Sequence, residues 1–221
     1  MMKTRITASI AAIALLAWSA PSLSAAAPSD PSAIIAALTP GTGLAQVQQL
    51  AQQGNADAQD NLGWMYQNGQ GVTQDYNQAI AWYQKAANQG YAYGQAHLGV
   101  MYENGWGVVQ DINQAAAWYR KAADQGYDVA QNNLGLLYQN GLVIGQDYNQ
   151  AIAWYQKAVA QGNADAQNNL GRMYQNGWGV AQDCNQAGQW YMKAAIQGNT
   201  VAQTNLDDLH ANGCGPTQNG N

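Results

Sequence analysis

The chain has 221 residues, 47% of them apolar, and carries thirteen acidic against eight basic side chains for a formal net charge of −5. That composition supplies a sizeable core, and its scattered lysines and arginines lack the basic stripe that nucleic-acid binding requires. The acidic balance argues equally against adsorption to an anionic membrane surface.

Lys3 and Arg5 precede an apolar run from Ile6 to Trp18, and small residues follow at Ser24, Ala25 and Ala26. This order predicts a secretory signal peptide over residues 1–26. The run of 13 residues is shorter than the ~20 needed to span a bilayer, which sets aside the alternative of a membrane helix. Cleavage removes two basic residues and no acidic one, leaving six cations against thirteen anions and a net charge of −7. No later segment is apolar enough to span, so no membrane insertion is expected after cleavage. Residues 27–43, with Pro28, Pro31 and Pro40, read as a linker around a short apolar patch, Ala33 to Leu38.

From Leu44 a pattern tightens. The stretch NLGWMYQNGQGV begins at Asn61, and close copies begin at His97, Asn133 and Asn169, always 36 positions apart. Within it Ala58, Leu62, Met65 and Tyr66 sit at i, i+4, i+7 and i+8, one face of a helix. This helix A is predicted over 56–68, 92–104, 128–140 and 164–176. A second stripe, Ala79, Trp82, Tyr83 and Ala86, recurs at the same interval and predicts helix B over 76–89, 112–125, 148–161 and 184–197. Asp75 with Gln78 three residues on reads as a capping box at the start of helix B, repeated by Asp111, Asp147 and Asp183. An aspartate recurring with that partner is a cap before it is a catalyst.

Gly69 and Gly71 suit the turn between A and B. Gly63, Gly99, Gly135 and Gly171 fall inside helix A, where glycine costs about 1 kcal/mol relative to alanine; close approach of helix B would explain them. One such pair cannot bury both stripes alone, so the copies must stack into an all-α solenoid of antiparallel helix pairs. Leu44 to Gln53 matches only helix B and Val201 to Asn212 only helix A, so each can cap an end. The solenoid is thus expected over 44–215, with a disordered tail over 216–221.

The repeat A-x-x-x-L-G-x-x-Y-x-x-G-x-G-V, then D-x-x-x-A, then W-Y-x-K-A-A-x-x-G, complete from Ala58 to Gly90, resembles the Sel1-like repeats, relatives of the tetratricopeptide repeats. Val143 departs from it where the other copies carry Gly71, Gly107 and Gly179; Gly145 lies two residues later, so that turn is expected to be reshaped. The resemblance implies a right-handed superhelix of paired helices and a non-enzymatic role in holding proteins together, which in exported bacterial members is linked to the envelope or to contact with host cells. It also implies an inner surface lined by non-core residues of helix A. Those are Asp60, Asn61, Trp64 and Gln67, then Ala96, His97, Val100 and Glu103. The later copies contribute Asn132, Asn133, Leu136 and Gln139, then Asn168, Asn169, Arg172 and Gln175. The amides among them can donate to and accept from a peptide backbone; an ordinary solvated helix face is the plain alternative.

Chemistry has little foothold. His97 and His210 occupy different repeat positions, so no metal site is expected, and no nucleotide or cofactor motif appears. S-x-x-K, the acylating motif of serine β-lactam enzymes, is absent. Some cysteine-rich Sel1-like proteins are described as β-lactam-binding or hydrolysing, but those carry cysteine pairs in successive repeats. Glycan binding is the other alternative, since Trp64, Trp106 and Trp178 lie outside the repeated stripes. Cys184 opens the last helix B and Cys214 follows the last helix A; stacking should bring them together as a disulfide, with two buried free thiols as the alternative.

Overall fold

The structure is a computed structural model that describes residues 43–143 and 145–214. The expected signal peptide, nearly all of the linker and the tail lie outside the described residues, as does Ile144. Ten α-helices and no strand occur among the described residues: α1 Gly43–Gln52, α2 Ala56–Asn68, α3 Tyr76–Asn88, α4 Ala92–Asn104, α5 Ile112–Asp124, α6 Asp128–Gln139, α7 Tyr148–Val159, α8 Ala164–Asn176, α9 Cys184–Ile196 and α10 Thr200–Ala211. They fall into two compact units divided after Gln125. The first holds the cap α1 and the pairs α2/α3 and α4/α5; the second holds α6/α7, α8/α9 and the cap α10. Gly43, expected to end the linker, opens α1 instead.

Each pair is fastened by local rules. Asp75 accepts from the amides of Asn77 and Gln78 at 2.9 and 3.1 Å, and Asp111, Asp147 and Asp183 cap their helices likewise. Only half of the expected capping box forms. The Asp75 amide donates to the Tyr66 carbonyl of the preceding helix at 2.9 Å, and Asp111, Asp147 and Asp183 donate to Tyr102, Tyr138 and Tyr174. The cap therefore also ties the start of each B helix to the end of its A helix. In the third copy, where Val143 replaces a glycine, the positive φ moves to Gly145 at 94°.

The core is built around one tyrosine per B helix. Tyr83, Tyr119, Tyr155 and Tyr191 are fully buried. A Cβ on Gly63 or Gly99 would lie 2.7 or 2.5 Å from the ring of Tyr83 or Tyr119, and Gly135 and Gly171 meet Tyr155 and Tyr191 in the same way. Alanine would favour the helix by about 1 kcal/mol, but a fixed ring occupies its place, so glycine is required. The tryptophan beside each tyrosine behaves differently: Trp82, Trp118 and Trp190 are half-buried and only Trp154 is buried. The ammonium groups of Lys85, Lys121, Lys157 and Lys193 lie 3.6, 3.7, 3.6 and 4.1 Å from these ring centroids, a cation–π arrangement that leaves the charge in water. Trp82, which shares its predicted stripe with Tyr83, thus sits at the core's margin.

Candidate functional site

The A helices present the positions that vary between copies. In the first unit, Asp60 and Asn61 of α2 and His97 of α4 are buried. His97 Nδ1 lies 2.6 Å from Asp60 Oδ1, and its ring stacks on Tyr83 at 4.6 Å. In the second unit Asn169 Nδ2 donates to Asn132 Oδ1 at 2.9 Å, and Asn205 Nδ2 to Asn168 Oδ1 at 2.8 Å. These pairs stand 37 residues apart and join one A helix to the next. Among the described residues only α1 precedes the helix of Asn61, and its amide oxygen and nitrogen are buried without a hydrogen bond, as is Asp60 Oδ2.

A second polar row joins B to A. Tyr83 Oη donates to Gln67 Oε1 at 2.7 Å, Tyr119 to Glu103 Oε2 at 2.6 Å, Tyr155 to Gln139 Oε1 at 2.7 Å and Tyr191 to Gln175 Oε1 at 2.5 Å. Burial pushes three of the tyrosines and the glutamate toward their neutral forms. Tyr83 and Tyr155 are raised by burial, Tyr191 is pushed up to about 12, and the Glu103 carboxyl is raised above the usual carboxylate range. The Arg172 charge acts on both Tyr155 and Tyr191 in the opposite sense.

Eight of the candidate residues are therefore withdrawn from the accessible surface: Asp60, Asn61, Ala96, His97, Asn132, Gln139, Asn168 and Asn169 are buried. Helices packed in register press their polar flanks together, and these side chains fill the seam. What stays half-buried is Trp64, Gln67, Val100 and Glu103 in the first unit, and Asn133, Leu136, Arg172 and Gln175 in the second. Trp64 also packs against the clusters around Leu62 and around Leu98, so it serves the fold as well. The hydroxyl of Tyr83, whose ring stacks on His97, is engaged by Gln67.

Two features escaped sequence reasoning. Gln89, Gln125, Gln161 and Gln197 donate to Gln59, Gln95, Gln131 and Gln167, each 30 residues earlier, at 2.7–2.9 Å. The same separation recurs at the turns. Tyr76 stacks on Trp106 at 5.4 Å and 10°, Tyr148 on Trp178 at 5.7 Å and 2°, and Cys184 is bonded to Cys214 with a Cα separation of 5.4 Å. The disulfide occupies the place of an aromatic stack. Among the described residues no cluster of His, Cys, Asp and Glu could hold a metal ion, and no helix is long and apolar enough to cross a membrane.

This architecture, helix pairs of nearly one length stacked at one interval, is that of an α-solenoid of Sel1 type. The Sel1 repeat model matches residues 56–91, 92–127, 128–163 and 164–199, and the chain belongs to the Sel1 repeat family. It is similar in structure to a protective antigen of uropathogenic Escherichia coli displaying an SLR fold, with 42% identity, TM-score 0.72, and coverage of 80% of this chain and 38% of that one. A Sel1 repeat protein from Oxalobacter formigenes matches at 35% identity and TM-score 0.69 over 83% of this chain and 69% of that one. A Sel1 repeat protein from Klebsiella pneumoniae, at 21% identity and TM-score 0.55 over 81% and 89%, shares the fold. This chain therefore spans little more than a third of the first of these proteins. No curated protein matches it. Sel1 repeats generally mediate contacts between proteins.

Proposed function

We propose that this protein is an exported, non-enzymatic adaptor that holds a protein or peptide partner against the varied positions of its A helices. The observation that carries this reading is the contrast within the repeat. The B tyrosine, the cap aspartate and the helix A glycine are fixed in all four copies, while the accessible position on helix A runs Trp64, Val100, Leu136, Arg172. Export is supported by the signal-like start of the sequence and by the Cys184–Cys214 bond, since disulfides persist in oxidising compartments. Similarity to a protective antigen accords with a place outside the cytoplasm. A glycan-binding role loses support because Trp106 and Trp178 each have one ring face covered by a tyrosine.

The test is affinity capture from envelope extracts with mass spectrometry, comparing the unaltered protein with Arg172→Ala and with Trp82→Ala. A partner held on the A helices is lost with Arg172→Ala at unchanged melting temperature and kept with Trp82→Ala at a temperature where that variant is folded. Trp64→Ala is a poorer probe: trimming a ring packed on two clusters is expected to cost about 1–2 kcal/mol of stability, less than a fully buried aromatic. Capture of the same partner by all variants would remove the A helices from consideration.

A further inference from the structure

Where α6 meets α8 and α8 meets α10, amide meets amide: Asn132 with Asn169, and Asn168 with Asn205. Where α2 meets α4 the same register sets Asp60 against His97, with Oδ1 and Nδ1 2.6 Å apart. The junction of the first unit is therefore built from groups that titrate, and those of the second unit from groups that do not. Asp60 is 0% and His97 5% exposed, a setting in which an uncompensated charge is costly. Asp60 Oδ2 is buried without a hydrogen bond, so relief of the carboxylate falls to its His97 side.

Of the elements packed against α4, α2 contributes Asp60, α3 the Tyr83 ring stacked on His97 at 4.6 Å, and α5 the Tyr119 hydroxyl, which is given to Glu103. The other charged groups of these helices are directed elsewhere. Asp57 accepts from the Tyr91 hydroxyl, and Lys85 and Lys121 lie over Trp82 and Trp118. Arg120 stands at the repeat position that Gln156 and Met192 expose on later B helices.

Nδ1–H donates to the carboxylate in either charge state of the ring. With an imidazolium the pair carries no net charge; with a neutral imidazole the buried carboxylate keeps the hydrogen bond and loses its counter-charge. We infer that the α2–α4 junction is a pH-sensitive clasp, tight while His97 is an imidazolium and looser as pH rises through the imidazole range, beside amide junctions in the second unit that hold throughout. Glu103 acts in the same sense, since burial raises its carboxyl and its ionised form is the costly one. The clasp does not depend on the adaptor reading.

Hydrogen exchange of the full chain, followed by mass spectrometry from pH 5.5 to pH 8 and corrected for the intrinsic pH dependence of exchange, reads each junction separately. Glu103→Gln is the background, so that this carboxyl takes no part. Opening of α2 and α4 is expected to be about tenfold rarer at pH 5.5 than at pH 8, with α6 and α8 unchanged. Asp60→Asn with His97→Asn writes the second unit's amide pair into the first and is expected to level the response. Equal protection of α2 and α4 at both pH values, or the same response in α6 and α8, would overturn the clasp. A response that survives in the amide variant would overturn its assignment to Asp60 and His97. Should that variant not fold, nitrogen NMR of the His97 ring in the background protein decides: a ring that keeps one charge state from pH 5.5 to pH 8 overturns the inference.

Discussion

Glu103 stands where Gln67, Gln139 and Gln175 stand in the other copies, and it accepts a tyrosine hydroxyl as they do. Burial raises its carboxyl above the usual range, and the Tyr119 bond offsets only part of that. A carboxyl raised in the folded state holds its proton to higher pH than the unfolded chain does. Stability therefore falls as pH rises from the unfolded value through the folded one, and above that the cost is fully present. Glu103→Gln keeps the acceptor and removes the charge. It is expected to raise the melting temperature at pH 7, with the gain fading as pH falls below the ordinary glutamate range. A gain of equal size at pH 3 and pH 7 would contradict that account. The neighbouring pair Asp60 and His97 shows a different solution at the same depth. A carboxylate meets an imidazole there, where the second unit places amide against amide.

At the scale of the element, the period, the caps and the glycines were legible in the sequence because each acts over a few residues. An aspartate that caps α3 or a glycine that admits Tyr119 leaves a mark at fixed spacing. The burial of Asp60, His97 and Asn169 was not legible from helix periodicity. It depends on which A helix lies alongside, and that is set by residues 37 positions away. A signal did exist in the complementary pairs Asp60/His97, Asn132/Asn169 and Asn168/Asn205. Pairs 30 apart carried the turn contacts in the same way, from Tyr76/Trp106 to Cys184/Cys214. The disulfide fastens α9 to the turn after α10. The chain-entropy model gives about 3–4 kcal/mol for closing such a loop. Cys184→Ser with Cys214→Ser is therefore expected to lower the melting temperature and to speed amide exchange in α10. Cys184→Tyr with Cys214→Trp should recover part of the loss, since that stack holds the equivalent place elsewhere. Thiol counting on denatured, unreduced protein checks the bond itself: two free thiols would contradict it.

Across the whole molecule, charge and variation are sorted by helix. Among the described residues the lysines sit on B helices, each over its tryptophan, while the A helices carry Arg172 and the changing apolar positions. Fixed residues hold the pairs together, and on the proposed reading the varied ones are left to a partner. Stability in such arrays is a sum of repeat and neighbour terms, so exchanging a varied surface position need not disturb the frame. The most direct test is site-specific photo-crosslinking in cells that make the protein. A benzophenone side chain is placed at Val100 on α4 or at the exposed Ala117 on α5. The account predicts a discrete crosslinked partner from position 100 and none from position 117. A partner captured from position 117 alone would place recognition on the B helices and contradict it.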